Sequence, residues 1–436
     1  MGVKPNCLDY GDVDATAIAL EGVPTFAGRV ISSDSRLMGK RVAMVVFSSY
    51  PSDPRPRRAV QALLEEGMRI DLICEGEQKS LKRERLDSLE VIRIPIRHSR
   101  GGTLSYAYQY SAFILISGAI LAWRSIRSRY DLVYVHNMPD ILVLTALLPK
   151  LFGAKVILDQ HDPMPELMRT IFNLDENSLA VRAISRLEKW SIARANLVIT
   201  VNMACKRIFA ARSCPLEKIG VVMNSPNEQI FPLRTQSLRA SINHSPNKRF
   251  VIMYHGSLVE RNGLDLAVDA LSFVRDDIPS AQLRVYGRKT AFLERVMEQV
   301  RSKGLESNVQ YLGAKSLEQL VQEIEECDVG VIPNHRNAFT EINTPTRIFE
   351  YLAMGKPVIA PRTPGIQDYF SPDSILFFEP GSSSDIARQI EYAALNYHEA
   401  VRIAERGQKI YLQHTWKQER QTLVELVGGL LSKEEA

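Results

Sequence analysis

The sequence predicts two α/β domains in tandem, each built around a doubly wound parallel sheet, and three observations support this fold class. A chain of 436 residues is too long for one hydrophobic core and suits two domains. Short apolar runs typical of buried strands alternate with longer helical segments, which is the order that produces a parallel sheet. The alternation stops at a polar segment near residue 225 and then starts again.

The first domain is predicted to span residues 40–225, after an extension at 1–39. That extension mixes Gly, Asp, Ser and Pro without periodicity, so we expect it to be flexible. The predicted helices of this domain are 58–66, 104–128, 139–151 and 178–194. The strands predicted around them are 41–47, 70–73, 91–94, 132–135, 155–158 and 197–200.

The second domain is predicted at residues 250–405, after a polar, Pro-containing linker at 226–249. Its predicted strands are 250–256, 283–287, 309–313, 329–333 and 357–360. The last helical region covers about 400–432 and no strand follows it. We therefore treat residues 406–436 as a C-terminal helix rather than as part of the second sheet.

Composition narrows the class of protein. The net charge is +4, which does not indicate nucleic-acid binding. No run of about eighteen purely apolar residues occurs and the N-terminus lacks a secretory pattern, so we expect a cytoplasmic protein. The five cysteines form no Cys-x-x-Cys pair, which argues against a zinc site.

The most informative segment reads NTPTRIFEYLAMGKPVIAP from Asn343 to Pro361. Thr344 is the predicted N-cap of a helix and Pro345 its first residue. The free amides at this helix start, beginning with Thr346, form a ready-made anion site.

Two charged side chains lie on the same face of this helix. Arg347 is in the first turn, and Glu350 lies one turn further in. The helix amides can bind a phosphate, and the nearby carboxylate can accept hydrogen bonds from hydroxyl groups. This combination suits a nucleotide sugar, so the segment predicts an enzyme that uses one.

The segment also resembles the donor-binding segment of the retaining glycosyltransferases of family 4. One branch of that family carries a pattern close to P-x-[KR]-[IL]-[FY]-E-Y-[LM]-A-x-G-K-P-V-I-A, which here runs from Pro345 to Ala360. The resemblance covers roughly residues 40–410. It implies a GT-B type fold, in which two Rossmann-like domains face each other across a cleft and a C-terminal helix crosses back to the first domain. It also implies that neither a metal nor a cofactor is needed, and that Glu350 accepts hydrogen bonds from the ribose.

Two turns of the second domain extend the predicted donor site. Gly256 follows a strand and lets main chain approach a ligand closely. The family often places Arg directly after this glycine and Lys before a later one, whereas this chain has Ser257 and Asn262 there. Arg261 is displaced by one position and either replaces the missing cation or is a surface charge.

The turn Gly287-Arg288 is either a second nucleotide contact or an ordinary surface loop. The family also often carries a glutamate eight positions before Glu350, and this chain has Ile342 there instead, with Glu341 beside it.

In the first domain, His161 follows a predicted strand and enters the expected cleft. By resemblance it contacts the transferred sugar, where an imidazole can stabilise developing charge. Asp162 is expected to orient it. His136 and Asn137 follow the neighbouring strand and either contact the acceptor or stabilise a turn.

The sequence thus predicts a retaining glycosyltransferase that moves a sugar from a nucleotide diphosphate sugar to a glycan or lipid-linked acceptor in cell-surface polysaccharide synthesis. A nucleotide-sugar epimerase of the same architecture and a non-catalytic binding scaffold stay open as alternatives. A dehydrogenase is the weakest reading, because no Gly-x-Gly-x-x-Gly follows a strand. The only Asp-x-Asp, Asp12-Val13-Asp14, lies in the extension.

A possible membrane contact concerns residues 36–130, which hold seventeen Lys and Arg against nine Asp and Glu. Beside these charges lies the apolar segment SYAYQYSAFILISGAILAW. Such a segment is either a core helix or a surface that lies on an anionic bilayer, and the two can coexist.

Overall fold

The computed structural model describes residues 36–76, 83–96, 103–235 and 249–432. They form two compact units: unit 1 contains 36–223 and 420–432, and unit 2 contains 224–419. The predicted extension up to residue 35, most of the predicted linker (236–248) and the basic stretch at 97–102 lie outside the described residues.

Unit 1 is built on an eight-stranded sheet with the strand order β3-β4-β2-β1-β5-β6-β7-β8. Every neighbouring pair is parallel except β3 and β4. The strands are β1 (Arg41–Ser49), β2 (Arg69–Glu75), β3 (Arg83–Leu86), β4 (Leu89–Ile94), β5 (Leu132–His136), β6 (Lys155–Gln160), β7 (Leu197–Thr200) and β8 (Ile219–Val221). The short strands β3 and β8 lie at the two edges of the sheet and are not among the predicted strands.

The helices of unit 1 connect these parallel strands. They are α1 (Pro54–Glu65), α2 (Thr103–Arg127), α3 (Leu147–Leu151), α4 (Met164–Phe172), α5 (Leu179–Arg194) and α6 (Met203–Arg212). The first helix begins four residues before its predicted start, because the Asp53 side chain caps it by accepting from the Arg55 amide. The predicted helix 139–151 is instead a 3-10 segment, Asp140–Ala146, followed by α3.

Unit 2 contains a six-stranded, fully parallel sheet in the order β11-β10-β9-β12-β13-β14. Its strands are β9 (Phe250–His255), β10 (Ala281–Tyr286), β11 (Val309–Tyr311), β12 (Val329–Val331), β13 (Val358–Pro361) and β14 (Leu376–Phe378). Its helices are α7 (Leu264–Val274), α8 (Ala291–Ser302), α9 (Leu317–Glu326), α10 (Thr346–Ala353), α11 (Pro364–Gln367), α12 (Ser383–Leu395) and α13 (Tyr397–Tyr411).

The last helix, α14 (Trp416–Ser432), begins in unit 2, and from Arg420 onward it belongs to unit 1. Arg420 donates to Glu65 at 2.8 Å and to Glu66 at 2.7 Å, both at the end of α1. Leu423 and Val427 are buried. A Cβ atom added to Gly220 would lie 2.5 Å from Leu426, so β8 packs directly against this helix.

Helix α2 buries one side and exposes the other. Phe113, Ser117 and Leu121 are buried in unit 1, whereas Leu115 and Ile126 are 72% and 71% exposed. Among the described residues, no helix is both long enough and apolar enough to cross a membrane.

Candidate functional site

Two glycine turns lie side by side at the carboxyl end of the unit 2 sheet, where open α/β sheets bind ligands. Gly256 follows β9 and has φ 121°, and its amide donates to the carbonyl of Tyr286 at 3.0 Å. A Cβ atom on Gly287, which follows β10, would lie 2.2 Å from the Gly256 carbonyl oxygen. Larger residues would force these turns apart. Ser257 and Arg288, each directly after one of the glycines, are exposed.

Helix α10 begins one residue later than the sequence predicts. Pro345 is extended, with φ −62° and ψ 126°, and stands at the cap position, so helical geometry starts at Thr346. The expectation that Thr344 caps this helix is wrong, because its hydroxyl donates instead to the Gly365 carbonyl at 2.7 Å. The amides of Thr346 and Arg347 still precede the first intrahelical hydrogen bonds and suit an anion.

Arg347 brings this helix start and the first glycine turn together. Its Nη1 donates to the His255 carbonyl at 2.7 Å, and a Cβ atom on Gly256 would lie 3.2 Å from its Cδ. Its guanidinium carbon lies 5.1 Å from the centre of the Tyr254 ring. Burial raises the pKa of Tyr254, and the charges of Arg347 and Arg261 both oppose that rise. Two guanidinium groups therefore act on one tyrosine beside the Gly256 turn.

The Glu350 carboxylate contacts His255, a residue that was not among the predicted site residues. His255 Nε2 lies 2.6 Å from Glu350 Oε2, and His255 Nδ1 lies 2.8 Å from the Tyr351 hydroxyl. The Tyr351 hydroxyl is also 2.8 Å from the Met253 carbonyl oxygen. His255 is the last residue of β9, directly before the glycine turn, which is the only signal in the sequence that could have indicated it.

The predicted residues of unit 1 meet at the ends of β5 and β6. These strands pair in parallel, with His136 opposite Asp159. His136 Nδ1 lies 3.1 Å from His161 Nε2, and the two ring planes are parallel within 4°. Their centres are 5.3 Å apart, which is close to the largest separation that this nitrogen contact allows. The nitrogens therefore point at each other along one line, as in an N–H···N hydrogen bond.

Asp159 is the carboxylate that lies beside both rings. Its Oδ2 accepts from the Tyr134 hydroxyl at 2.8 Å and lies 3.3 Å from His136 Nδ1 and 3.7 Å from His161 Nε2. The three atoms are close enough to share a metal ion. However, two imidazole nitrogens that face each other do not direct their lone pairs at a common third point, so this arrangement favours the hydrogen bond.

Asp162 was predicted to orient His161. In the structure its carboxylate lies 4.0 Å from Arg55 Nη1. The Asn137 side chain fixes this turn instead. Its Oδ1 accepts from the His161 amide at 2.9 Å, and its Nδ2 donates to Gln160 Oε1 at 2.7 Å and to the Asp162 carbonyl at 3.1 Å. Both polar atoms of the Asn137 side chain therefore form hydrogen bonds within unit 1. Its predicted contact with the acceptor stays a prediction.

Protonation of the histidine pair follows from these contacts. Burial lowers the pKa of His161 to about 3, so the ring is neutral near pH 7. Burial would raise the pKa of Asp159, but its neighbours His161, His136 and Tyr134 together lower it, so it stays ionised. The Asp159 carboxylate lies nearer to His136 Nδ1 than to His161 Nε2, so we assign the proton between the two rings to His136 Nδ1. His161 then accepts this hydrogen bond at Nε2 and carries its own proton on Nδ1. That Nδ1 atom is buried and has no partner among the described residues.

Comparison with known proteins identifies two matching domains. Residues 236–410 match the family model for glycosyl transferases group 1, and residues 53–225 match the glycosyl transferase 4-like domain. The curated protein described as probable glycosyltransferase WbjE, from Pseudomonas aeruginosa, is 21% identical over 238 residues. This match covers 53% of the present chain and 57% of that protein, so the chain spans little more than half of its relative's length.

Solved structures show the same fold. Sucrose-phosphate synthase from Thermosynechococcus elongatus superposes with a TM-score of 0.73 and 16% identity, over 90% of this chain and 100% of its own. HepE from Anabaena, crystallised with UDP, gives a TM-score of 0.67 and 18% identity, over 89% of this chain and 100% of its own. These likenesses confirm the predicted fold class of two Rossmann-like domains, the GT-B fold.

Proposed function

The chain belongs to the group 1 glycosyltransferases, and from that premise we propose that it moves a sugar from a nucleotide diphosphate sugar to an acceptor hydroxyl with retention at the anomeric carbon. The observation that carries this proposal is the cluster at the carboxyl end of the unit 2 sheet. There the Gly256 and Gly287 turns lie against each other, Arg347 at the start of α10 donates to the His255 carbonyl, and the His255 ring contacts the carboxylate of Glu350.

Each part of this cluster has a role in the proposal. The helix amides of Thr346 and Arg347, the Arg347 side chain and the charge of Arg261 bind the diphosphate and stabilise it as the leaving group. Glu350 accepts from the ribose. Because protein groups supply this positive charge, we expect transfer to continue in the presence of EDTA. Loss of activity in EDTA, restored by a divalent cation, would contradict that expectation.

In unit 1 we propose that His161 contacts the transferred sugar. Its Nδ1–H is a buried donor without a partner among the residues that the structure describes, and a sugar hydroxyl could accept from it. His136 Nδ1 faces the His161 ring and so positions it, while the buried Nε2 of His136 has no partner among the described residues either. The alternative that His136 contacts the acceptor stays a prediction.

The donor site is tested by Glu350→Ala, with Glu341→Ala as a matched control from the same segment. A thermal-shift panel of nucleoside diphosphates should identify one that stabilises the wild-type chain by mass action. We expect Glu350→Ala to lose that stabilisation and to lower transfer at least about tenfold, as loss of a charged hydrogen bond does. Equal behaviour of the two variants would contradict the role of Glu350. Conversion of the donor without acceptor would favour the epimerase instead.

The proposed acceptor is a glycan or a lipid-linked sugar of cell-surface polysaccharide synthesis, reached from the cytoplasmic face of the membrane. The exposed side of α2 supports this proposal. Tyr108, Leu115, Trp123 and Ile126 are each at least half exposed on one side of the helix, and the Arg127 guanidinium lies 3.5 Å from the centre of the Trp123 ring. An apolar surface with aromatic and basic residues suits an anionic bilayer.

Liposome binding tests this contact. The double variant Leu115→Gln/Ile126→Gln should reduce binding to anionic vesicles at low salt, because it removes two of the most exposed apolar side chains of α2. Leu395→Gln is the matched control, because Leu395 is 78% exposed but lies in unit 2. Equal binding by both variants, or no binding by the wild-type protein, would count against the membrane contact.

A further inference from the structure

The hydrogen bonds around His255 fix where its protons are. The Tyr351 hydroxyl lies 2.8 Å from the Met253 carbonyl oxygen and 2.8 Å from His255 Nδ1. A carbonyl oxygen can only accept, so the single hydroxyl proton of Tyr351 must point to Met253. The hydroxyl oxygen then faces His255 Nδ1 with a lone pair, and that nitrogen must carry a proton.

The other side of the ring needs a proton as well. His255 Nε2 lies 2.6 Å from Glu350 Oε2, a distance at which two acceptors cannot face each other. A proton therefore lies between them, in addition to the one on Nδ1. A free imidazole is more basic than a free carboxylate by about two pKa units, so this proton belongs to the histidine.

We propose that His255 is a positioning residue, held as an imidazolium, that fixes Glu350 through Oε2 and leaves only Oε1 for the ribose of the nucleotide. The positioning role rests on the proposed donor site, whereas the protonation state does not. His255 is 3% exposed and Tyr351 is fully buried, so water does not supply an alternative donor to either nitrogen.

The surroundings of the pair support this assignment. Burial raises the pKa of Tyr351 well above its ordinary value, and the ionisable neighbours that act on it include Glu350 and Arg347. Glu350 is the carboxylate that touches the His255 ring, which makes it the counter-ion of an imidazolium there. Its side chain is 14% exposed, and among the described residues its carboxylate is contacted through Oε2. The neutralised pair also avoids placing an uncompensated negative charge beside a diphosphate.

The protonation state is tested by ¹⁵N NMR of histidine-labelled protein at about pH 8, well above the ordinary histidine pKa. We expect the His255 signals of the ligand-free wild-type protein to be those of a ring protonated on both nitrogens. In Tyr351→Phe the acceptor at Nδ1 is gone, so a neutral ring that donates from Nε2 to Glu350 becomes sufficient. Its imidazolium signature should then disappear, and the same loss is expected in Glu350→Gln.

His335 provides the matched control. Its Nε2 lies 2.9 Å from Asp265 Oδ2, and this hydrogen bond raises its pKa. Asp265→Asn should change the signals of His335 and leave those of His255 unchanged. A neutral His255 in the wild-type protein at about pH 8, in either tautomer, would overturn the proposal.

The positioning role is tested separately with the nucleoside diphosphate that the thermal-shift panel selects and with its 2′-deoxy and 3′-deoxy forms, beginning with UDP. If Oε1 alone is offered, loss of one ribose hydroxyl should weaken binding roughly ten- to a hundredfold and loss of the other should have little effect. In Glu350→Gln this difference between the two deoxynucleotides should largely vanish. Equal losses for both deoxynucleotides would overturn the positioning role while leaving the proton assignment to the NMR result, whereas no binding of any nucleoside diphosphate would overturn the proposed donor site itself.

Discussion

At the scale of single residues, unit 1 contains two buried groups whose pKa values shift in opposite senses. Burial lowers the pKa of His161 to about 3, and burial, with a contribution from Glu188, raises the pKa of Asp140 to about 7. Both lie near Asn137, whose Nδ2 donates to Asp140 at 3.1 Å and whose Oδ1 accepts from the His161 amide. The folded state therefore keeps the imidazole neutral and the carboxyl group protonated near pH 6.

These shifts predict opposing effects of pH on stability. Below about pH 6.5 His161 is protonated in the unfolded state but stays neutral in the folded state. The free energy of unfolding therefore falls as pH falls towards 3. Above about pH 4 an unfolded Asp140 loses a proton that the folded state keeps, so the free energy of unfolding falls as pH rises towards 7. Each effect is at most about 1.4 kcal/mol per pH unit, and together they nearly cancel.

Single variants should separate the two effects. With His161→Asn, the stability of unit 1 should fall as pH rises between about 4 and 6.5, and with Asp140→Asn it should rise over the same range. Hydrogen exchange in β5 and β6 measures the stability of this unit apart from that of unit 2. The same slope in both variants would contradict the assigned protonation states.

At the scale of elements, the start of α7 depends on Gly263. This residue has φ 66°, and a Cβ atom there would lie 1.9 Å from the Pro333 carbonyl oxygen. Gly304, after α8, has φ 64° and nothing within 4 Å of the same position. Both positions need a left-handed backbone, but Gly263 also needs the absence of a side chain.

Alanine at these two glycines should therefore have unequal costs. Gly304→Ala should lower the free energy of unfolding by about 1–2 kcal/mol, the cost of the left-handed conformation. Gly263→Ala adds a contact with main chain that cannot move freely, and should lower it by about 2–5 kcal/mol. Urea denaturation measures both, and a similar cost for both variants would show that unit 2 relaxes around Pro333 without difficulty.

The sequence predicted the central strands better than the short helices and edge strands. Runs such as Arg41–Ser49 and Phe250–His255 are mostly buried, so their apolar character identifies them. Helix α4 (Met164–Phe172) was missed because its nine residues follow a loop motif directly. One predicted helical region at 400–432 proved to be α13 and α14, because both are amphipathic and the break at 412–415 contains neither Gly nor Pro.

The candidate site shows a similar limit. His161, Arg347 and the glycine turns could be predicted because their roles depend on local motifs at strand and helix ends. His255 and Asp159 could not, because their partners come from other elements. His255 meets Glu350 across 95 residues of sequence, and Asp159 meets Tyr134 across 25. Only the packing of the sheets brings these groups together.

At the scale of the whole molecule, unit 1 is formed by two separate stretches of chain. Leu423 of α14 is 2% exposed, so Leu423→Ala should lower the free energy of unfolding of unit 1 by about 2–5 kcal/mol. Hydrogen exchange should then increase in β1 and β5 and stay unchanged in β9 and β10. Leu412→Ala is the control, since Leu412 is 45% exposed. Equal increases in all four strands would show that the two units unfold as one.

The position of α14 also has a consequence for synthesis on the ribosome. Domains generally fold from the N-terminus as the chain emerges, at about 5–20 residues per second. Residues 36–223 emerge first, but the helix that covers Gly220 and engages Glu65 and Glu66 is translated only after all of unit 2. Unit 1 therefore spends about ten to forty seconds without part of its surface covered, at that rate of elongation. During this interval it exposes an apolar surface that chaperones can bind, and the surface of unit 1 is completed only after unit 2 has been synthesised.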